Sequence, residues 1–285
     1  MAKAPAKETA EISVLQISQG TVKMHIVGNL PFIYNAMSVK AKRELLLPKG
    51  RKTAADRAQT LKHEPLNEYR ESVYRVLSNT SSTRLCFPTG AFKKAIATAA
   101  LDLPGTKKAE IGRLVSVPAA VFPIWGVPQL MMSVVRSADM NKTPDIRTRA
   151  ILPEWATIVE LSFVRPKLSA TSVVNLLAAA GITVGVGDFR QEKGAGSYGS
   201  FRIVEPDDAD FKRITKAGGR AAQDAALESP EMYDSETEAL FSYFNSEVAR
   251  MRQHDGGATK KGRKKADPVH VNGSADPLEG GALAG

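Results

Sequence analysis

Five of the seventeen residues from 185 to 201, GVGDFRQEKGAGSYGSF, are glycines: Gly185, Gly187, Gly194, Gly196 and Gly199. Glycine carries no Cβ and takes positive φ without strain, so this density implies tight turns or a close approach of backbone to another group. Apolar runs at 182–186 and 201–204 flank the cluster and read as strands. The dinucleotide-binding fingerprint is not met, because Arg190 stands where its third glycine packs a helix on a strand. No glycine is followed by Gly-Lys-Ser/Thr at the spacing of a P-loop. Two readings stay open. In one, the loop grips a polyanion: backbone N–H groups approach phosphates, Arg190, Lys193 and Arg202 supply charge, and Phe189, Tyr198 and Phe201 stack on bases. In the other, the glycines shape a bulged hairpin and nothing more.

Charge favours an anionic partner. Lys and Arg number 39 against 30 Asp and Glu, a formal net charge of +9. The single cysteine, Cys86, allows no internal disulfide, and the four histidines are scattered with no CxxC, so no metal site and no cofactor are expected. The longest uncharged run, between Pro118 and Val135, is broken by Pro123 and Pro128 and reads as strand and loop, not as a membrane span. The N-terminal residues carry no apolar core, which points to a cytoplasmic protein.

Along the chain, Val22, Met24 and Ile26 alternate with Thr21, Lys23 and His25, the pattern of a half-buried strand. Residues 39–62 are basic and irregular, with Lys40, Lys42, Arg43, Lys49, Arg51, Lys52, Arg57 and Lys62 against Glu44 and Asp56. This is a solvated helix–loop region or an arm that contacts phosphates. Residues 89–101 predict a helix with Phe92, Ile96 and Ala99 on one face and Thr89 as its cap. Residues 112–151 read as an insertion or a long hairpin, and 156–164 as a strand. Val173, Leu176, Leu177 and Ala180 predict a helix over 169–180, stopped by Gly181. Residues 207–253 read as helical, with Ser235 and Glu238 as a capping box. The organisation expected is a flexible lead (1–10), a core (11–205) with insertions at about 39–85 and 102–151, a helical extension (206–253) and a disordered basic tail (254–285) containing KKGRKK.

Lys93 and Lys94 fall in the first turn of the helix after Thr89 and Gly90. Cations there oppose the helix dipole unless an anion also binds at the N-terminus. Catalytic signals are weak by comparison. There is no GxSxG, and Asp188 and Glu192 read as solvated loop carboxylates. Asp56 and His25 are the candidates for a metal-independent RNA cleavage.

Two stretches together resemble the RAMP superfamily, the RRM-like proteins that include guide-RNA-binding backbone subunits of CRISPR effector complexes. Residues 184–201 are similar to that family's C-terminal glycine-rich loop, and FPTGAFKKAI at 87–96 is similar to the start of its first long helix. The chain also resembles uncharacterised phage-encoded proteins that share this loop. The resemblance implies an α+β fold, a ferredoxin-like or RRM-like βαββαβ core with large insertions and a C-terminal helical extension. It implies that Thr89, Gly90, Lys93 and Lys94 lie near Gly185, Gly187, Arg190, Lys193, Gly194, Gly196, Tyr198, Gly199 and Arg202 at the sheet edge. There they would grip a single-stranded nucleic acid, RNA or DNA, with Lys40, Lys42 and Arg43 embracing the strand. It further implies a homo-oligomer or filament with no membrane partner, acting in phage or prokaryotic replication, recombination or defence. The alternatives are an RNA endonuclease using the same groove, and a structural module that touches polyanions only through its tail.

Overall fold

The computed structural model describes residues 14–46, 61–136, 143–193 and 196–258. In chain order these form β1 (Ser18–Gly28), β2 (Phe32–Ile33), α1 (Val39–Leu46), α2 (Pro65–Glu71), β3 (Tyr74–Arg75) and β4 (Leu85–Pro88). Then follow α3 (Gly90–Ala99), α4 (Lys108–Leu114), β5 (Val115–Ser116), β6 (Val121–Trp125), β7 (Gln129–Arg136), β8 (Pro144–Leu152) and β9 (Ala156–Arg165). The chain continues through α5 (Ala170–Thr183), β10 (Phe201–Val204), α6 (Ala209–Ala217), α7 (Arg220–Glu228) and α8 (Ser235–Ala258).

The alternation in β1 works as the residues dictate. Met24 and Ile26 are buried on one face, and Thr21 and Lys23 stay exposed on the other. The strand is central. It pairs antiparallel with β9 along its length and with β10 at its end, where Gly28 stands opposite Phe201. β9 pairs antiparallel with β6, and β4 and β3 extend the sheet beyond it. The order β10-β1-β9-β6, with α3 between β1 and β6 and α5 between β9 and β10, is the strand order of a ferredoxin-like core. The fold is therefore α+β, as the sequence led us to expect.

α3 and α5 pack on each other and on one face of the sheet. Phe92, Ile96 and Ala99 of α3 and Val173, Leu176, Leu177 and Ala180 of α5 join Met24, Ile26, Val159, Leu161 and Phe163 in the main core. α6 lies on the opposite face, where Phe211 and Ile214 cover Val27 and Ala156. α7 is tied to β4 and β6 by the fully buried Gln223. β7 and β8 form a long hairpin, which with β2 makes a second sheet. The 112–151 region thus contains the expected hairpin, but it also supplies β5 and β6 to the main sheet.

Four local expectations fail. α5 does not stop at Gly181: that residue stays helical, and its bare face lets the Phe201 backbone carbonyl approach. No strand forms over 182–186, because α5 runs to Thr183 and Gly185 and Gly187 then turn the chain with φ of 72° and 88°. Thr89 does not cap α3, since its hydroxyl donates to the Ala120 carbonyl (3.1 Å). At α8, Asp234 and not Ser235 accepts the Thr237 N–H (2.7 Å), so the cap lies one residue earlier than the Ser235 box predicts.

The chain divides into two compact units between Phe241 and Ser242. Helices α6 and α7 belong to the first unit with the sheet, and in the second Arg250 of α8 pairs with Glu247 (2.7 Å). The expected lead (1–10) and residues 259–285 of the expected tail lie outside the described residues. Among the described residues, no helix is long and apolar enough to cross a membrane.

Candidate nucleic-acid interface

The glycine loop closes on itself and on the segment 29–33. Gly185 N–H donates to Ala180 O (2.8 Å), Val186 N–H to Gly199 O (2.9 Å), Asp188 N–H to Ile33 O (3.0 Å) and Gly199 N–H to Pro31 O (2.8 Å). A Cβ on Gly187 would stand 2.8 Å from Ile33 O, and one on Gly185 3.0 Å from Gly199 O. A Cβ on Gly196 or Gly199 would run into the carbonyl of Phe189 or Val186. These four glycines serve backbone-to-backbone contacts within the protein. Gly194 lies outside the described residues, and Lys193 ends a short 3-10 turn, Gln191–Lys193.

The loop's other predicted cations are occupied. Arg190 pairs with Glu192 (2.7 Å) and donates to Gly187 O (3.2 Å). Arg202 pairs with Asp210 (2.6 Å) and reaches Asn29 Oδ1 (3.2 Å). Of the three aromatic rings, Phe201 is fully buried, and Tyr198 packs on the small cluster of Ile33, Met131 and Ile151. Phe189 stays exposed.

α3 brings a different set of charges forward. Phe92 of its first turn meets Phe201 with ring centroids 5.6 Å apart, which places the turn beside the strand that the glycine loop enters. Thr89 spends its hydroxyl on Ala120 O, no acidic residue stands in the first turn, and a Cβ on Gly90 would meet nothing. Among the described residues, the N–H groups of that turn therefore have no side-chain acceptor. Lys93 and Lys94 form no ion pair among the described residues. α4 packs against α3, with a Cβ on Gly112 falling 3.9 Å from that of Ala97. Lys93 and Lys94 lie four and three residues before Ala97, on the side of α3 that α4 approaches. α4 and its N-cap add Lys107, Lys108 and Arg113, which also form no ion pair among the described residues. Residues 90–114 carry these five cations against Asp102 and Glu110. Sequence reasoning missed the α4 contribution. The Lys-Lys pair at 107–108 was legible, but nothing local said that its helix would pack against α3.

Lys40 belongs to a second feature, a cleft of about 700 Å³ lined by α1, α2, β8 and Asp188 of the glycine loop. Lys40, Lys62, Arg147 and Arg149 face Glu64, Glu68, Glu71, Asp145 and Asp188 there. With more carboxylates than cations, the cleft is poorly suited to phosphates. His63 bridges its walls, Nδ1 to Glu68 (3.1 Å) and Nε2 to Asp145 (3.1 Å). The hydrogen bond from Lys62 (2.7 Å), helped by the charges of His63 and Lys62, holds the Asp145 carboxyl below its usual range. Arg149 pairs with Asp188, and its burial lowers the guanidinium pKa. Lys42 and Arg43 are exposed on α1 and do not line the cleft.

Of the two residues considered for catalysis, His25 sits beneath α6 against Phe211, and Asp56 lies outside the described residues. No group of three metal-ligating side chains occurs among the described residues.

No protein-family model matches the chain, and no curated protein sequence matches it. Among solved structures, the crystal structure of Cmr6 from Pyrococcus furiosus aligns with 66% of this chain and 98% of its own, at 8% identity and a TM-score of 0.34. So loose a superposition decides neither family nor function.

Proposed function

We propose that this protein binds single-stranded nucleic acid through the phosphate backbone, without catalysis, at the surface formed by the first turn of α3 and the adjacent α4. The observation that carries the reading is the start of α3: N–H groups without a side-chain cap, no carboxylate in the turn, and Lys93 and Lys94 beside them. Helix N-termini favour anions, and a phosphate there turns an unfavourable placement of two cations into a favourable one. Lys107, Lys108 and Arg113 widen the positive surface. The glycine loop then acts as the frame that holds β10 and α3 in register. The RAMP-like stretch at 87–96 is the one that forms this turn, which supports a RAMP-type subunit that lines up in copies along a strand in a phage or prokaryotic setting. RNA and DNA are both in the class of ligand proposed.

The test is binding of the full chain to labelled 40-nucleotide RNA and DNA across a salt series. Log affinity should fall with log salt at about −0.7 per phosphate neutralised, so a slope near −3 is expected if four or five cations engage. Lys93→Ala/Lys94→Ala should weaken both ligands and make the slope shallower by about 1 to 1.5. Binding that is indifferent to salt and to the double substitution would overturn the reading.

A further inference from the structure

We infer that the ring of Phe189 is a stacking shelf for one unpaired nucleobase of the bound strand, an assignment that rests on the nucleic-acid reading above. Three features converge on this ring. It is the loop aromatic that the core does not absorb: it is 36% exposed, whereas Phe201 is fully buried and Tyr198 is packed. Its backbone is left-handed, with φ of 49°, where glycine or asparagine would sit with less strain and a plain surface turn would ask for one of them. It is held in place from several directions. Asp188 Oδ1 accepts the Phe189 N–H (3.1 Å), and the Phe189 carbonyl accepts the Tyr198 N–H (3.3 Å). Asp188 Oδ2 binds Arg149, whose guanidinium lies 5.8 Å from the Phe189 ring centroid. The backbone that carries the ring is thereby held, with Arg149 beside the ring, before any ligand arrives.

A base suits this shelf better than a protein does. A protein interface needs a contiguous apolar patch, whereas Asp188, Arg190 and Glu192 surround a single ring here. Stacking asks for one π-face and is tolerant of base identity.

The experiment uses the full chain, a 20-nucleotide single strand bearing 2-aminopurine, and a strand of the same length made of abasic sites. Wild type and Phe189→Tyr should quench the 2-aminopurine fluorescence and bind the base-bearing strand at least tenfold more tightly than the abasic one. Phe189→Ala should lose the quenching, bind the base-bearing strand about tenfold less tightly, and bind the abasic strand as wild type does. Lys93→Ala/Lys94→Ala should weaken both strands alike. Equal wild-type affinity for the two strands, or a Phe189→Ala protein that still quenches and binds normally, overturns the shelf and leaves the phosphate reading standing. A wild type that binds neither strand overturns both. An unchanged thermal midpoint for Phe189→Ala excludes misfolding as the cause of its loss.

Discussion

The imidazole of His25 and the ring of Phe211 meet edge to face, with centroids 4.9 Å apart and planes at 88°. β1 thus presents His25 to a helix that arrives almost two hundred residues later in the chain. α6 covers Val27 and Ala156 on the same side, so that part of the sheet's second face is closed to ligands. Removing the Phe211 ring should cost about 3 kcal/mol, the low end for a buried phenylalanine, because Phe211 keeps 8% exposure. His25→Ala should cost less and leave nucleic-acid affinity unchanged. Urea unfolding of both variants, with a binding titration of His25→Ala, checks the pair.

Gln223 should be among the most sensitive polar positions in the chain. Its Oε1 accepts the N–H groups of Arg84 (2.8 Å) and Leu85 (2.9 Å). Its Nε2 lies near the carbonyls of Ile124 (2.8 Å), Gly126 (3.1 Å) and Gly218 (2.9 Å). Gln223→Leu keeps the volume and strands these backbone groups in a buried site, so a loss of about 3 to 5 kcal/mol is expected from urea unfolding.

Two glycines should respond in opposite directions. A Cβ on Gly90 meets nothing, and Gly90→Ala should stabilise by about 0.5 kcal/mol because alanine has less unfolded-chain entropy to lose. Gly199 has φ of 73° and a carbonyl in the way, so Gly199→Ala should destabilise by more than about 2 kcal/mol. Thermal midpoints measured side by side separate a glycine that the loop requires from one that the helix merely tolerates.

Asp145 sets a pH dependence. Its folded pKa is lowered from 3.8, first by the Lys62 hydrogen bond, so its contribution is complete above 3.8 and is lost as pH falls through the lower folded value. The Asp145 side chain is 36% exposed, so the effect is below about 1 kcal/mol. Asp145→Asn should therefore lower the melting temperature slightly at pH 7 and converge on wild type as pH falls below 3.8 and through the lowered folded value. Melting curves of the two proteins across that range give the answer.

What was legible in the sequence follows the range of the forces involved. β1 and α5 were readable because the alternation of Val22, Met24 and Ile26 and the spacing of Val173, Leu176, Leu177 and Ala180 encode a buried face within one element. The Thr89 cap and the 182–186 strand were misread for the same reason in reverse. The Ala120 carbonyl that takes the Thr89 hydroxyl belongs to another part of the chain, as does the Phe201 backbone that Gly181 admits.

By itself, the sequence determined an α+β chain with a half-buried first strand, two core helices, a glycine-dense turn and a basic balance. Those properties reside in periodicity, backbone freedom and charge count, which neighbouring residues carry among themselves. Only the tertiary structure decided that Gly185, Gly187, Gly196 and Gly199 face protein backbone, that Arg190 and Arg202 are held by Glu192 and Asp210, and that α4 packs against α3. It also left Phe189 exposed while burying Phe201. The physical reason is that a side chain's availability depends on which distant segment packs against it, and that is settled when the sheet closes and its helices dock.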